Sequence, residues 1–155
     1  MCIRDRLETW PALLVSGTIG GRTLERMPGH RASLWGRRLL TRWRWAHASL
    51  PDGRWAHLLA AKVPGLPPLA QHGSNRGGPG LPLARSSSDG TAWRVGPWAV
   101  AAARSSFVHV PYTDVDGSTV HCYHSPAATL TGPGLDTAGV SYEIAARTRL
   151  PELEP

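Results

Sequence analysis

The stretch TRWRWAHAS, Thr41–Ser49, restricts the folds open to this 155-residue chain more than any other. On an extended backbone successive side chains point to opposite faces, so Thr41, Trp43, Trp45, His47 and Ser49 share one side and Arg42, Arg44, Ala46 and Ala48 the other. A helix would set Trp43 and Trp45 about 200° apart and scatter that segregation, so the spacing predicts a strand. LPDG, Leu50–Gly53, follows with turn chemistry: proline presets φ, aspartate bonds nearby backbone and glycine accepts positive φ. RWAHLLAAKV then alternates again, with Trp55, His57, Leu59 and Ala61 on one face, and residues 41–63 read as an antiparallel hairpin.

The same period of two recurs along the chain. DVDG, Asp114–Gly117, separates two runs rich in Val and Tyr, a second hairpin whose first arm bends or lies at an edge because of Pro111. AGVSYEIAARTR sets Val140, Tyr142, Ile144 and Ala146 against Ser141, Glu143 and Ala145. Two short strands are expected around Gly20-Gly21 and another pair around Gly96-Pro97. Several short strands between such turns predict an all-β barrel or sandwich. The exception is Lys62–Gly90, dense in Gly, Pro and Ser, whose middle, residues 70–80, is expected to be a disordered or lid-like loop, with Leu81–Ala84 a short strand remnant.

Length suits one domain with a real core. The formal charge is +6, yet Lys62 is the only lysine among 17 basic residues, the skew of a GC-rich coding sequence, so the charge is a poor argument for nucleic acid. Two cysteines, Cys2 and Cys122, cannot supply a disulfide framework. No apolar run reaches membrane-spanning length and the N-terminus lacks the long apolar centre of a signal peptide, so the chain reads as soluble with its compartment unspecified. MCIRDR, Met1–Arg6, resembles a translated sequencing-adapter peptide. The expected organisation is a non-native or disordered leader over 1–10, one β domain over 11–150, and a disordered tail over 151–155.

Several pieces follow one another in a recognisable order: Ser16–Ile19 of SGTI, Gly29 to Gly36 of GHRASLWG, Trp43–His47 of WRWAH, a PPL element, Tyr112–Gly117 of YTDVDG and Tyr123–Ser125 of YHS. Over residues 13–147 this resembles lipocalin-like (calycin-type) proteins related to tocopherol cyclase and carotenoid hydratase (hydroxyneurosporene synthase), and in particular the C-terminal barrel of a usually two-barrel chain. The resemblance implies a lipocalin-like antiparallel barrel or strongly curved sheet, part of a larger bacterial protein whose N-terminal barrel is missing. It implies a lipophilic, isoprenoid-like small molecule as partner, with cyclisation or hydration as the chemistry and no cofactor. Residues 70–80 depart from the family's pattern and are expected to leave a gap in the barrel wall with unpaired strand edges.

Candidate ligand-binding residues are Trp35, Trp43, Trp45, Trp55, Tyr112 and Tyr123, since aromatic rings on one face can line a cavity; the competing and simpler account of the tryptophans is packing in a β core. His47 and His57, on the Trp-bearing faces, are the candidate catalytic residues, because an imidazole among aromatics can give or take a proton near neutrality. The competing role is that of a hydrogen-bonded core histidine. His30 reads as a residue that ties down a turn or bonds a neighbouring strand. HCYH, His121 to His124, sends alternate residues to opposite faces, so at most two ligands pair and no metal site is expected even with His109 nearby. Asp114 and Asp116 read as turn-capping carboxylates rather than a catalytic pair. Arg31, Arg37, Arg38, Arg42 and Arg44 read as a solvated outer face in preference to a phosphate-binding stripe, because alternation sends Trp43 and Trp45 away from Arg42 and Arg44. The alternatives to ligand binding are a non-catalytic structural or interaction domain and a basic nucleic-acid-binding module.

Overall fold

The computed structural model describes residues 6–35, 40–62, 64–65, 69–75, 77–80, 85–86 and 89–154, with side chains described outside 6–12, 28, 30–35, 69, 77–80 and 85–86. The strands are β1 (Arg6–Ile19), β2 (Arg22–Trp35), β3 (Arg42–Ser49), β4 (Trp55–Lys62), β5 (Leu69–Ser74), β6 (Gly77–Gly80), β7 (Arg85–Ser86), β8 (Ala92–Val95), β9 (Trp98–Ala101), β10 (Val108–Thr113), β11 (Thr119–Gly132) and β12 (Leu135–Ala146). The described residues contain no α-helix, only two 3-10 turns at Arg104–Ser106 and Pro151–Leu153. None is long and apolar enough to cross a membrane.

The turns form where the sequence places them. Gly53 and Gly117 sit at φ 83° and 80°, closing the β3–β4 and β10–β11 hairpins in the left-handed region that glycine enters without a Cβ clash. Asp52 accepts from the Arg54 backbone N–H at 3.0 Å, and Asp116 from that of Ser118 at 2.9 Å. Gly20 and Gly21, at φ 56° and 77°, give the β1–β2 hairpin the paired positive angles of a type I′ turn.

Ten strands make one antiparallel sheet in the order β6-β5-β4-β3-β12-β11-β9-β8-β7, with β10 on β11. The long β11 serves two neighbours along one edge, with β12 on the other: Thr119 to His124 pair with β10, and Thr129 to Thr131 with β9. The sheet curls into a nearly closed barrel with one unsealed seam, its two ends being β6 and β7. Both end strands belong to the Gly/Pro/Ser tract, so the gap falls where the tract departs from ordinary strand composition.

The interior is identified by contacts between strands that are not sheet neighbours. Trp93 of β8 stacks on Tyr142 of β12 at 6.1 Å, and Phe107 meets the same ring edge-on at 5.7 Å. Around them Leu58, Val95, Val100, Leu130 and Ile144 are fully buried. Cross-strand pairing carries this face onto β3, where Tyr142 opposes Ala46 and Ile144 opposes Arg44. Ala46 and Ala48 are buried in that core, and Arg44, on the same face, is 8% exposed. The tryptophans and arginines of β3 therefore part as expected, but the arginine face turns inward. The expectation of Arg42 and Arg44 on a solvated outer face is corrected. Trp43 looks the other way, packing with Val120, Cys122 and Ala145.

Three further expectations are corrected. Residues 70–80, read as a loop, pair as β5 and β6, with β5 hydrogen-bonded along β4 from Ala61↔Leu69 to Ala56↔Ser74. Backbone pairing on an existing ladder outweighs the poor strand composition. Leu81–Ala84 lies outside the described residues. Arg6–Trp10, assigned to the leader, pair with Arg31–Trp35 in β1–β2, while residues 1–5 lie outside the described set. The tail is anchored too: Leu153 is buried in the core and Arg104 donates to the Glu154 carbonyl at 2.8 Å.

The β1–β2 hairpin forms its own two-stranded sheet and lies against β3 and β4. Ser49, on the tryptophan face of β3, donates to the Gly29 carbonyl at 3.2 Å, which puts the hairpin over that face. The GHRASLWG piece enters the described part as strand: Gly29 to Trp35 continue β2, and the irregularity is a bulge between Trp10 and Leu13 of β1. A second bulge places Arg26 at φ 50°, with its N–H donating to Ser16 Oγ at 3.1 Å.

Candidate functional site

The clearest recess among the described residues forms where β3 and β12 part. Their ladder ends at His47↔Ser141; beyond it β3 enters the Leu50–Gly53 turn and β12 bends through Gly139, at φ 71°. The diverging strands leave a cleft of about 240 Å³, lined by His47, Ser49, Ser141, Thr137 and Val140, with Gly29 of the overlying hairpin at its rim. His47 is only 5% exposed. Its Nε2 lies 2.8 Å from Ser49 Oγ. Ser49 Oγ also reaches the Gly29 carbonyl at 3.2 Å, so this hydroxyl links the His47 ring to the overlying hairpin. Behind Ser141, outside the lining, His124 Nε2 lies 3.0 Å from Ser141 Oγ. The lining thus combines the His47 imidazole with the Ser49 and Ser141 hydroxyls in one small polar cavity.

His57 opposes His47 across the β3–β4 ladder and stacks on Trp55 at 5.8 Å, the rings within 5° of parallel. Its ring lies over Gly73 of β5, where a Cβ would fall 2.7 Å from Cε1. Burial depresses its pKa below the ordinary histidine value, and nearby His72 adds to the effect. Neutral His57 can accept a proton, and its Nδ1 is buried without a hydrogen-bond partner.

The aromatic candidates separate into three places. Trp43, Trp45 and Trp55 are half-buried on the outer face that also carries His47, so they do not line the barrel interior. Tyr123 is fully buried inside, stacked on His109 at 4.6 Å, its hydroxyl donating to Glu154 at 3.1 Å and accepting the Leu150 N–H at 2.9 Å. That hydroxyl is committed to holding the C-terminal segment. Tyr112 is exposed on β10. The side chains of Trp35 and His30 lie outside the described residues, as do those of Arg31, Arg37 and Arg38.

The HCYH strand behaves as alternation requires. His121 Nδ1 lies 3.1 Å from His109 Nε2, while Cys122 points to the opposite face. Among the described residues no three His, Cys, Asp or Glu side chains converge as metal ligands. The Cys122 thiol is pushed up to about 12 by burial and by Glu143, which keeps it protonated and unreactive. Asp114 and Asp116 cap their turn and face Arg147, whose Nη2 lies 2.7 Å from Asp114 Oδ2.

Sequence reasoning found His47 and missed Ser49, Ser141 and Gly29. Alternation had placed both serines on the correct face of their strands. Only the β3–β12 register brings Ser141 opposite His47. Scans against protein-family models, curated proteins and solved structures returned no match for this chain.

Proposed function

We propose that the chain is a small-molecule-binding barrel that takes the hydroxyl-bearing end of a lipophilic, isoprenoid-like ligand in the polar cleft beside His47. The observation that carries this reading is a buried imidazole, oriented by Ser49, opening on a cleft of about 240 Å³. A cavity of that size suits a small ligand or one end of a longer one. The half-buried indoles of Trp43 and Trp45 and the Trp55–His57 stack continue the same face and supply apolar surface for the remainder. Ser49, Ser141 and the Gly29 carbonyl supply partners for a hydroxyl.

The associated chemistry is hydration or cyclisation of an alkene. A protonated imidazole gives its proton to one alkene carbon, water or a ligand hydroxyl forms the C–O bond at the other, and the imidazole takes back the oxygen's proton, so atoms and charge balance. His47 is the candidate acid–base group and His57 its candidate neighbour. The additional N-terminal barrel implied by the family resemblance belongs to the same proposal.

The second reading, a structural barrel without a ligand, is favoured by the filled interior, where Trp93, Tyr142 and Leu130 are wholly buried. Nile red fluorescence separates the two. Enhancement on the folded chain, reversed by geranylgeraniol and weakened at least fivefold by His47→Ala or Trp45→Ala, supports ligand binding. A folded chain that leaves the dye dark overturns it in favour of the structural barrel.

A further inference from the structure

Arg42 and Arg44 are alternate residues of β3, both directed into the barrel, where Arg44 opposes Ile144 and Arg42 opposes Ala146 on β12. Their guanidinium groups converge. A Cβ placed on Gly90 would lie 3.4 Å from Nη2 of each, so the two charged ends flank the same glycine. Tyr142 forms the wall behind them: its hydroxyl donates to the Gly90 carbonyl at 3.0 Å, beside the same glycine.

Two like charges brought together in a low-dielectric interior repel, and each donor buried there needs an acceptor. The fold supplies too few. Arg42 Nη2 reaches Glu152 at 3.7 Å, a distance for an ion pair rather than a hydrogen bond. No carboxylate among the described residues forms an ion pair with Arg44, though Glu152 and Asp89 are near enough to act on it electrostatically. Arg42 Nε and Arg44 Nη1 are both buried without a hydrogen-bond partner. Arginine stays charged, so deprotonation offers no relief.

We infer that Arg42 and Arg44 form an oxyanion-binding site at the rim of the barrel, taking a carboxylate or phosphate between them with Gly90 and Tyr142 as its back wall. The small side of Gly90 leaves room for the approach of both guanidinium groups. Arg42 reaches solvent, its side chain being 31% exposed, and Arg44 lies deeper at 8%, so an anion enters past the first to reach the second. Planar guanidinium forks match the oxygen spacing of a carboxylate or phosphate. The site opens on the interior face, opposite the face that carries His47, and stands independently of the proposed cleft.

The test is calorimetric titration of the full chain at low salt with acetate, inorganic phosphate and decanoate. Binding of any of them, weakened at least tenfold by Arg44→Met and severalfold by Arg42→Met but unchanged by Arg54→Met, which removes the same charge from the exposed β3–β4 turn, supports the site. Decanoate binding far tighter than acetate or phosphate identifies an amphiphilic acid as the source of the anion; equal or tighter phosphate binding identifies a free oxyanion. Should Arg44→Met unfold, the side-chain N–H resonances of labelled Arg42 and Arg44 are followed in the unmutated chain during the same titrations. Unshifted resonances with no heat of binding overturn the inference, as does anion binding that survives Arg44→Met.

Discussion

The Tyr142 hydroxyl donates to the carbonyl of Gly90 at 3.0 Å, joining β12 to the segment before β8 across the barrel interior. The ring between them is wedged by Trp93 and Phe107. Tyr142→Phe keeps that packing and leaves a buried carbonyl without its donor. The expected loss is about 1–3 kcal/mol, measured by urea denaturation with an unchanged m-value.

Burial also raises the pKa of that hydroxyl from 10.0 to about 12, and that of Cys122 from 9.0 to about 12. Both groups hold their protons more tightly when folded. Their contribution is intact below the unfolded values and is lost as pH rises through the window from about 9 to about 12. Stability is therefore expected to fall across that window, by an amount on the order of a few kcal/mol. Denaturation midpoints at stepped alkaline pH read this, and Tyr142→Phe reduces the slope above pH 10.

His57 gives the opposite sign at the acid end. Its folded pKa lies below the ordinary value, so the native state resists its protonation, and the stability it supplies is present above the unfolded value of about 6.5 and lost as pH falls below it. The Cε1 resonance of His57 is expected to titrate below its value in the denatured chain. A midpoint at or above the denatured value would contradict the burial drawn for this ring.

Gly73 and Gly132 hold their aromatic neighbours by having no side chain. A Cβ on Gly132 would overlap the indole of Trp98, a core residue, and one on Gly73 would press on His57. Gly132→Ala is expected to cost about 1–3 kcal/mol by forcing Trp98 from its rotamer. Gly73→Ala is expected to disturb the Trp55–His57 stack and so change tryptophan emission. Chemical denaturation and near-ultraviolet circular dichroism measure the two effects.

The β10–β11 turn is held by Arg147, which meets Asp114 at 2.7 Å and Asp116 at 3.5 Å, all partly exposed. Arg147→Met is expected to cost no more than about 1 kcal/mol because solvent screens such pairs. The difference from the unmutated chain narrows as salt is raised to 1 M, read as converging thermal midpoints.

Period-two alternation and turn residues determined the β3–β4 and β10–β11 hairpins, the Gly20-Gly21 turn and the parting of indoles from guanidinium groups along Thr41–Ser49. Those are local properties, because side-chain direction on a strand follows from the backbone alone. Which face of β3 turns inward is not local: an alternating strand is equally consistent with either, and one register step exchanges them. The tertiary structure decided it by setting Ala46 and Arg44 beside Tyr142 and Ile144, and by covering the tryptophan face with the β1–β2 hairpin. It likewise drew the Gly- and Pro-rich tract into β5 and the end strands β6 and β7 and brought Ser141 to His47, because both depend on pairing with other segments of the chain.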